Sequence, residues 1–120
     1  MNKPVDYEVA KLPPAYRRRI ATHFVQRCHE RGMTRMTYNI AVNLNKVAKA
    51  MQADPKFKSK VLTLYREPAW STKIYQVQYD DSFFYLIFDS RKDGFVTAIT
   101  QEQMDERDSE TSSLHSRRKK

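Results

Sequence analysis

The chain has 120 residues, of which 40% are hydrophobic and 30% are charged, with a formal net charge of +8. This length allows one domain with its own core, and the hydrophobic content excludes a chain disordered throughout. No apolar run is long enough for a membrane-spanning helix, and the N-terminus lacks the apolar segment of a secretory signal. The single cysteine excludes a disulfide framework, so we expect a cytoplasmic protein.

The basic residues are concentrated in the first half of the chain. Residues 1–66 contain 14 lysines and arginines against 4 acidic residues, whereas residues 67–120 contain 8 against 10. Such a basic half is typical of proteins that bind a polyanion, and a solvated basic surface is the alternative. One cysteine and three separated histidines do not have the spacing of a metal site, so we expect no metal and no cofactor.

Two helices are predicted in the basic half. The segment LPPAYRRRIATHFVQRCHERG has Pro14 in its first turn and Gly32 after its last, as helices often do. Thr34 is predicted to cap a second helix, which ends before Pro55. Both segments have apolar residues at helical spacing: Tyr16, Ile20, Phe24 and Cys28 in the first, then Met36, Ile40, Leu44, Val47 and Met51 in the second.

After Pro55 the sequence has the alternation of β-strands. Four strands are predicted in KVLTLYR, KIYQVQYD, SFFYLIFD and GFVTAIT, and Asp93-Gly94 is a strong hairpin signal. The sequence therefore predicts an α+β fold in which two N-terminal helices pack on a twisted antiparallel β-meander of about four strands. We expect one domain over residues 1–103 and a disordered basic C-terminal tail over residues 104–120, because that segment is polar and lacks periodicity.

A row of basic side chains follows one side of the first predicted helix. His23, Arg27 and Arg31 are four residues apart, so they border the apolar row, whereas His29 is expected to face solvent. Metal-independent RNA cleavage needs a group that transfers protons and cations that stabilise the phosphate, and histidine and arginine suit these roles. The alternative is the charged side of an ordinary amphipathic helix.

The segment HFVQRCHERGMT, followed by a helix, strands and GFVTAIT, resembles small bacterial and phage domains of the barnase–EndoU–colicin–RelE superfamily. The matching positions are His23, Arg27, Arg31-Gly32, Thr34 and Val96-Thr97, with Met33 in place of the usual aliphatic residue. The resemblance implies a metal-independent, toxin-like endoribonuclease of a bacterial or phage-infected cell. His23 would be its acid or base, Arg27 its phosphate clamp and Thr97 a hydrogen-bond donor.

Several further residues are predicted to bind nucleic acid, and other functions remain open. Trp70 could stack on a base of single-stranded RNA, or it could pack over the sheet edge. The partner is predicted to be RNA, including RNA on the ribosome, and a protein inhibitor or antitoxin is a further expected partner. The alternatives to cleavage are non-catalytic binding of RNA, DNA or the ribosome, and docking of a phage protein on a host enzyme. The predicted nucleic-acid-binding residues are Arg17, Arg18, Arg19, Arg31, Arg66, Trp70 and Lys73.

Overall fold

A computed structural model of the chain describes residues 14–109. These residues form one antiparallel sheet with the strand order β1-β2-β3-β4, together with three helices. The predicted α+β fold, with two N-terminal helices followed by a four-stranded meander, is confirmed. No helix in this range is long and apolar enough to cross a membrane. The elements are α1 (Pro14–Glu30), α2 (Tyr38–Ala53), β1 (Thr63–Ala69), β2 (Thr72–Tyr79), β3 (Ser82–Asp89), β4 (Gly94–Thr100) and α3 (residues 101–109).

Helix α1 ends at the predicted glycine. Gly32 has a φ of 106°, a left-handed conformation that favours glycine. The amide of Gly32 donates to the carbonyl of His29 at 3.1 Å, and the amide of Met33 donates to that of Cys28 at 2.8 Å. This pair of hydrogen bonds is the Schellman arrangement, which satisfies carbonyls at the helix end and turns the chain so that Met33 is buried.

Helix α2 begins later than its predicted cap. The capping residue is Thr37, whose hydroxyl accepts a hydrogen bond from the amide of Ile40 at 3.2 Å. The predicted cap at Thr34 is therefore wrong by three residues, and residues 31–37 connect the two helices. The predicted apolar row is also shifted, since Ile40 is 43% exposed. The buried residues of this helix are Ala41, Leu44 and Ala48.

Both N-terminal helices pack on one face of the sheet, and Phe95 lies at the centre of that interface. The Phe95 ring stacks on Phe24 of α1, with 5.6 Å between the ring centroids. It also makes edge contacts with Phe88 at 5.3 Å and with Tyr75 at 5.7 Å. All four rings are no more than 1% exposed, so α1 is fixed against three strands by one aromatic cluster.

The only cysteine lies in this core and is expected to be chemically inert in the folded protein. Cys28 is fully buried, and that burial raises the pKa of its thiol from 9.0 to about 12. At about pH 8 the thiolate fraction should fall by roughly three orders of magnitude below that of a free cysteine. Alkylation followed by mass spectrometry should therefore be at least about 100-fold slower in buffer than in denaturant. Equal rates in the two conditions would show that the core around Cys28 opens readily.

An irregularity between β3 and β4 decides which β4 side chains face the helices. The pairing shifts between Ile87, opposite Thr97, and Phe88, opposite Phe95. Because of this shift, Phe95 and Ala98 both belong to the core under the helices, although they are three residues apart. Thr97 precedes Ala98 and therefore points to the opposite face, which we call the far face of the sheet.

Helix α3 corrects the predicted boundary of the C-terminal tail. Residues 104–109 are helical rather than disordered, and Met104 is 1% exposed on the far face with Ile74, Tyr85 and Ile99. The start of this helix is a capping box. The Thr100 hydroxyl accepts from the amide of Gln103 at 3.1 Å, and the Gln103 side chain accepts from the amide of Thr100 at 2.9 Å. Residues 110–120 of the predicted tail, like residues 1–13, lie outside the described range.

Candidate nucleic-acid interface

One end of the sheet has an exposed indole and two basic side chains. The β1–β2 and β3–β4 turns are joined by a hydrogen bond of 2.8 Å from the amide of Ser90 to the carbonyl of Ser71. Trp70, in the first turn, is 76% exposed, so the prediction that it could pack over the sheet edge is wrong. Arg91 and Lys92 are exposed in the second turn. An exposed tryptophan beside cations has the chemistry of a base-stacking platform.

A basic groove lies beside these turns, between α1, α2 and the start of β4. It has a volume of about 240 Å³, and Asp93 is one of its lining residues. The Asp93 side chain is 8% exposed and forms ion pairs with Lys49 at 2.9 Å and with Arg17 at 3.8 Å. Lys46 and Lys92 also line the groove, and neither forms an ion pair with a carboxylate of residues 14–109. Among residues 14–109, Lys46 and Lys92 therefore add positive charge to the groove that no carboxylate pairs with, and this charge is available to an anion.

Contacts between α2 and the β3–β4 turn hold the groove in place. Asp93 has a φ of 58°, in the left-handed region that aspartate tolerates in turns. Asn45 of α2 accepts a hydrogen bond from the amide of Phe95 at 2.9 Å. A Cβ atom on Gly94 would lie 2.9 Å from the Asn45 side-chain nitrogen, so glycine permits this close approach. The same contact positions Lys46 and Lys49, on neighbouring turns of α2, at the groove.

The opposite end of the sheet has a different charge. In the β2–β3 turn, Asp80 forms an ion pair of 2.7 Å with Arg35, and Asp81 is exposed. The Tyr79 hydroxyl accepts a hydrogen bond from the amide of Arg35 at 2.9 Å. Its pKa is lowered chiefly by a hydrogen bond with Thr34. The carboxylates here balance the local cations, so the excess positive charge is at the end that carries Trp70.

The predicted catalytic residues are not brought together. His23 is exposed on the outer surface of α1, beside Arg18 and Arg19. Arg27 is half-buried, and its guanidinium donates to Glu30 at 2.8 Å. Thr97 lies on the far face of the sheet, whereas α1 packs on the other face. The prediction that Thr97 joins His23 and Arg27 in one site is therefore corrected, and the register shift in β4 is the physical reason.

The last turn of α1 has a structural role that the sequence did not indicate. The His29 ring nitrogen Nε2 lies 2.7 Å from the carbonyl oxygen of Met36, so this side chain ties the end of α1 to the connection before α2. His29 is exposed, as predicted, and this contact is an addition to that prediction. Arg31 is half-buried, and its Nε atom has no hydrogen-bond partner among residues 14–109.

Two predicted nucleic-acid-binding residues are already paired with carboxylates. Arg66 lies on β1 and forms an ion pair of 3.0 Å with Asp108 of α3, which lowers the pKa of Asp108. Lys73 forms an ion pair of 3.6 Å with Glu67. These pairs reduce the charge that either cation offers to a phosphate. Of the predicted set, Arg17 and Trp70 lie at the basic end, and Arg18 and Arg19 lie on the exposed side of α1 near it.

Four basic residues of this end were missed from the sequence: Lys46, Lys49, Arg91 and Lys92. A usable signal was present for two of them, because Arg91 and Lys92 immediately precede the Asp93-Gly94 hairpin signal. Lys46 and Lys49 are three residues apart and share one side of α2. Their proximity to the turn depends on the Asn45 contact, which only the tertiary structure shows.

Comparison with known proteins does not assign a function to this site. No family model, no curated protein and no solved structure matches the chain. Membership of the barnase–EndoU–colicin–RelE superfamily therefore stays a prediction. Within residues 14–109, no group of three or more histidine, cysteine or acidic side chains could hold a metal ion.

Proposed function

We propose that the protein binds RNA at the end of the sheet that carries Trp70. The observation that carries the proposal is the groove in which Lys46 and Lys92, neither of them paired with a carboxylate of residues 14–109, lie beside the ion pair of Lys49 and Asp93. Lysine and arginine side chains attract phosphates without regard to base sequence. This groove would bind the backbone of the nucleic acid.

Trp70 favours an RNA partner with accessible bases. An indole that is 76% exposed on a hairpin offers a flat apolar surface, and the bases of single-stranded RNA stack on such surfaces. Lys92 in the neighbouring turn would bind a phosphate next to the stacked base, whereas Arg91 already forms an ion pair of 4.0 Å with Asp89. In the binding mechanism that we propose, the groove binds phosphates and the indole stacks on a base.

Cleavage of that RNA stays a prediction of the family resemblance. A nuclease site would need His23 and Arg27 to act with a residue other than Thr97, since Thr97 lies across the sheet. The ribosome as the location of the RNA and a protein inhibitor as a second partner likewise stay predictions. RNA binding is the function that the geometry of the described residues supports best.

Removal of the two groove lysines tests this proposal. The variant Lys46→Ala/Lys92→Ala should bind a labelled single-stranded RNA of about 12 nucleotides roughly 10-fold more weakly than the wild type. Fluorescence anisotropy between roughly 50 mM and 200 mM salt should also show a logarithmic salt slope smaller by about 2.

The control variant is Arg35→Ala/Arg107→Ala, whose two charges lie at the β2–β3 turn and on α3 rather than at the groove. This variant should bind the RNA within about twofold of the wild-type affinity. Equal weakening in both variants would show a general charge effect and contradict the assigned groove. Wild-type protein that binds no RNA at low salt would contradict the function. A denaturing gel of the same mixtures, with a chelator present, reports whether the RNA is cut.

A further inference from the structure

A second cavity lies at the C-terminal end of α2, where Tyr75 of the helix-covered face of the sheet contributes to its lining. It has a volume of about 460 Å³, in the range of small-ligand sites. The end of α2, the connection to β1 and the first two strands surround it. Its apolar walls include Met51, Phe57, Leu62 and Leu64, and the Tyr75 ring also lines it. Phe57 is 42% exposed, so one aromatic wall is accessible from solvent.

The polar groups of this cavity include both hydrogen-bond donors and acceptors. The Tyr75 hydroxyl accepts a hydrogen bond from the Gln52 amide nitrogen at 3.1 Å, and burial raises the pKa of Tyr75. The hydroxyl therefore keeps its proton at neutral pH and can donate it. The carboxylate of Glu67 and the ammonium of Lys73 form an ion pair of 3.6 Å in the wall. Donors and acceptors of this kind match the polar edge of a nucleobase.

The connection between α2 and β1 supplies cations at the same cavity. Its sequence PKFKSK contains Lys56, Lys58 and Lys60, and Lys58 lines the cavity. None of the three forms an ion pair with a carboxylate of residues 14–109. The Ser59 hydroxyl accepts hydrogen bonds from the amides of the two residues that follow Lys60, at 3.0 and 3.1 Å, which fixes this segment. An aromatic wall beside unpaired lysines suits a ligand that joins an aromatic ring to a phosphate.

We infer that this cavity binds one nucleotide of the bound RNA, with an unpaired base against Phe57 and its phosphate at Lys58. The inference deepens the proposed function and rests on it. The α2 residues that line the groove extend to Lys49 and those that line the cavity begin at Met51, so the two sites follow one another along this helix. Lys73 of the cavity is three residues from Trp70. A single strand can therefore contact both sites on one face of the protein, whereas the paired bases of a duplex cannot enter the cavity.

Variants of the cavity should weaken single-strand binding without affecting a duplex. Phe57→Ala removes the accessible ring, and Leu64→Trp fills the space while Phe57 remains. Each should weaken binding of a labelled single-stranded RNA about 10-fold and leave binding of a duplex of equal length within about twofold. Phe83→Ala is the matched control, because Phe83 is 41% exposed and does not line the cavity. Its affinity for both RNAs should equal that of the wild type.

Three outcomes of this experiment separate the inference from the proposed function. Unchanged single-strand affinity in both cavity variants, or equal loss for single strand and duplex, overturns the cavity and leaves RNA binding intact. If the wild type binds no RNA, equilibrium dialysis with adenosine monophosphate tests the cavity alone. Binding of that nucleotide, lost in Phe57→Ala and kept in Phe83→Ala, retains a nucleotide cavity without the proposed function. No binding of either probe overturns both.

Discussion

Replacement of Phe95 by alanine is expected to lower the free energy of unfolding by about 3–5 kcal/mol. The ring is 1% exposed and contacts Phe24, Tyr75 and Phe88, so alanine would leave a cavity between α1 and the sheet. The surrounding rings come from one helix and two other strands, and a cavity with so many rigid walls collapses poorly. The loss is a large fraction of the stability of a domain of this size.

Urea denaturation followed by circular dichroism measures this effect. Phe83→Ala, at an exposed position of the same sheet, should cost less than about 1 kcal/mol and is the control. Phe95→Leu keeps most of the volume and should fall between them, which provides a measurable value if the alanine variant does not fold. A loss below about 1 kcal/mol in Phe95→Ala would contradict the central position of this ring.

Replacement of Asp93 by asparagine is expected to change stability and RNA affinity in opposite directions. The carboxylate is 8% exposed and pairs with Lys49 and Arg17, so its neutralisation should lower the free energy of unfolding by about 1–3 kcal/mol. Asparagine keeps the shape of the side chain and tolerates the φ of 58°. The net charge of the groove rises by one because the carboxylate is removed. RNA should therefore bind roughly threefold to tenfold more tightly at low salt.

The matched control is Asp80→Asn, at the other end of the sheet. Asp80 also has a positive φ, of 55°, and also pairs with an arginine, but both partners are well exposed. Its replacement should cost less than about 1 kcal/mol and should leave RNA affinity within about twofold. Chemical denaturation and anisotropy titrations of the two variants give the comparison. Unchanged or weaker RNA binding in Asp93→Asn would mean that the groove does not contact the nucleic acid.

Local patterns were sufficient to predict three strands and the first helix, whereas β1 begins and ends three residues later than the predicted KVLTLYR. The segments KIYQVQYD, SFFYLIFD and GFVTAIT each lie within one residue of an observed strand, because alternation and turn residues define short antiparallel strands well. The glycine at position 32 correctly marked the end of α1. The sequence does not show which threonine caps α2, because Thr34 and Thr37 have the same side chain and differ only in their surroundings.

The remaining errors come from features that sequence periodicity does not encode. A regular β4 would place Phe95, Thr97 and Ile99 on one face, but the register shift moves Thr97 away from α1. Helix α3 has one buried apolar residue, Met104, and therefore lacks an apolar row. The Thr-x-x-Gln capping box at residues 100–103 was its available signal. The basic groove joins residues that are distant in sequence, so composition predicted its charge but not its position.

The position of the only tryptophan has a spectroscopic consequence. Since Trp70 is 76% exposed in the folded protein, its indole should already emit at the wavelength of a hydrated chromophore. Unfolding would then change its surroundings little, and a melting curve recorded by intrinsic fluorescence would underestimate the transition. The same exposure makes the emission wavelength of Trp70 a direct signal of ligand binding at the hairpin, because only a ligand at that end of the sheet removes the indole from water.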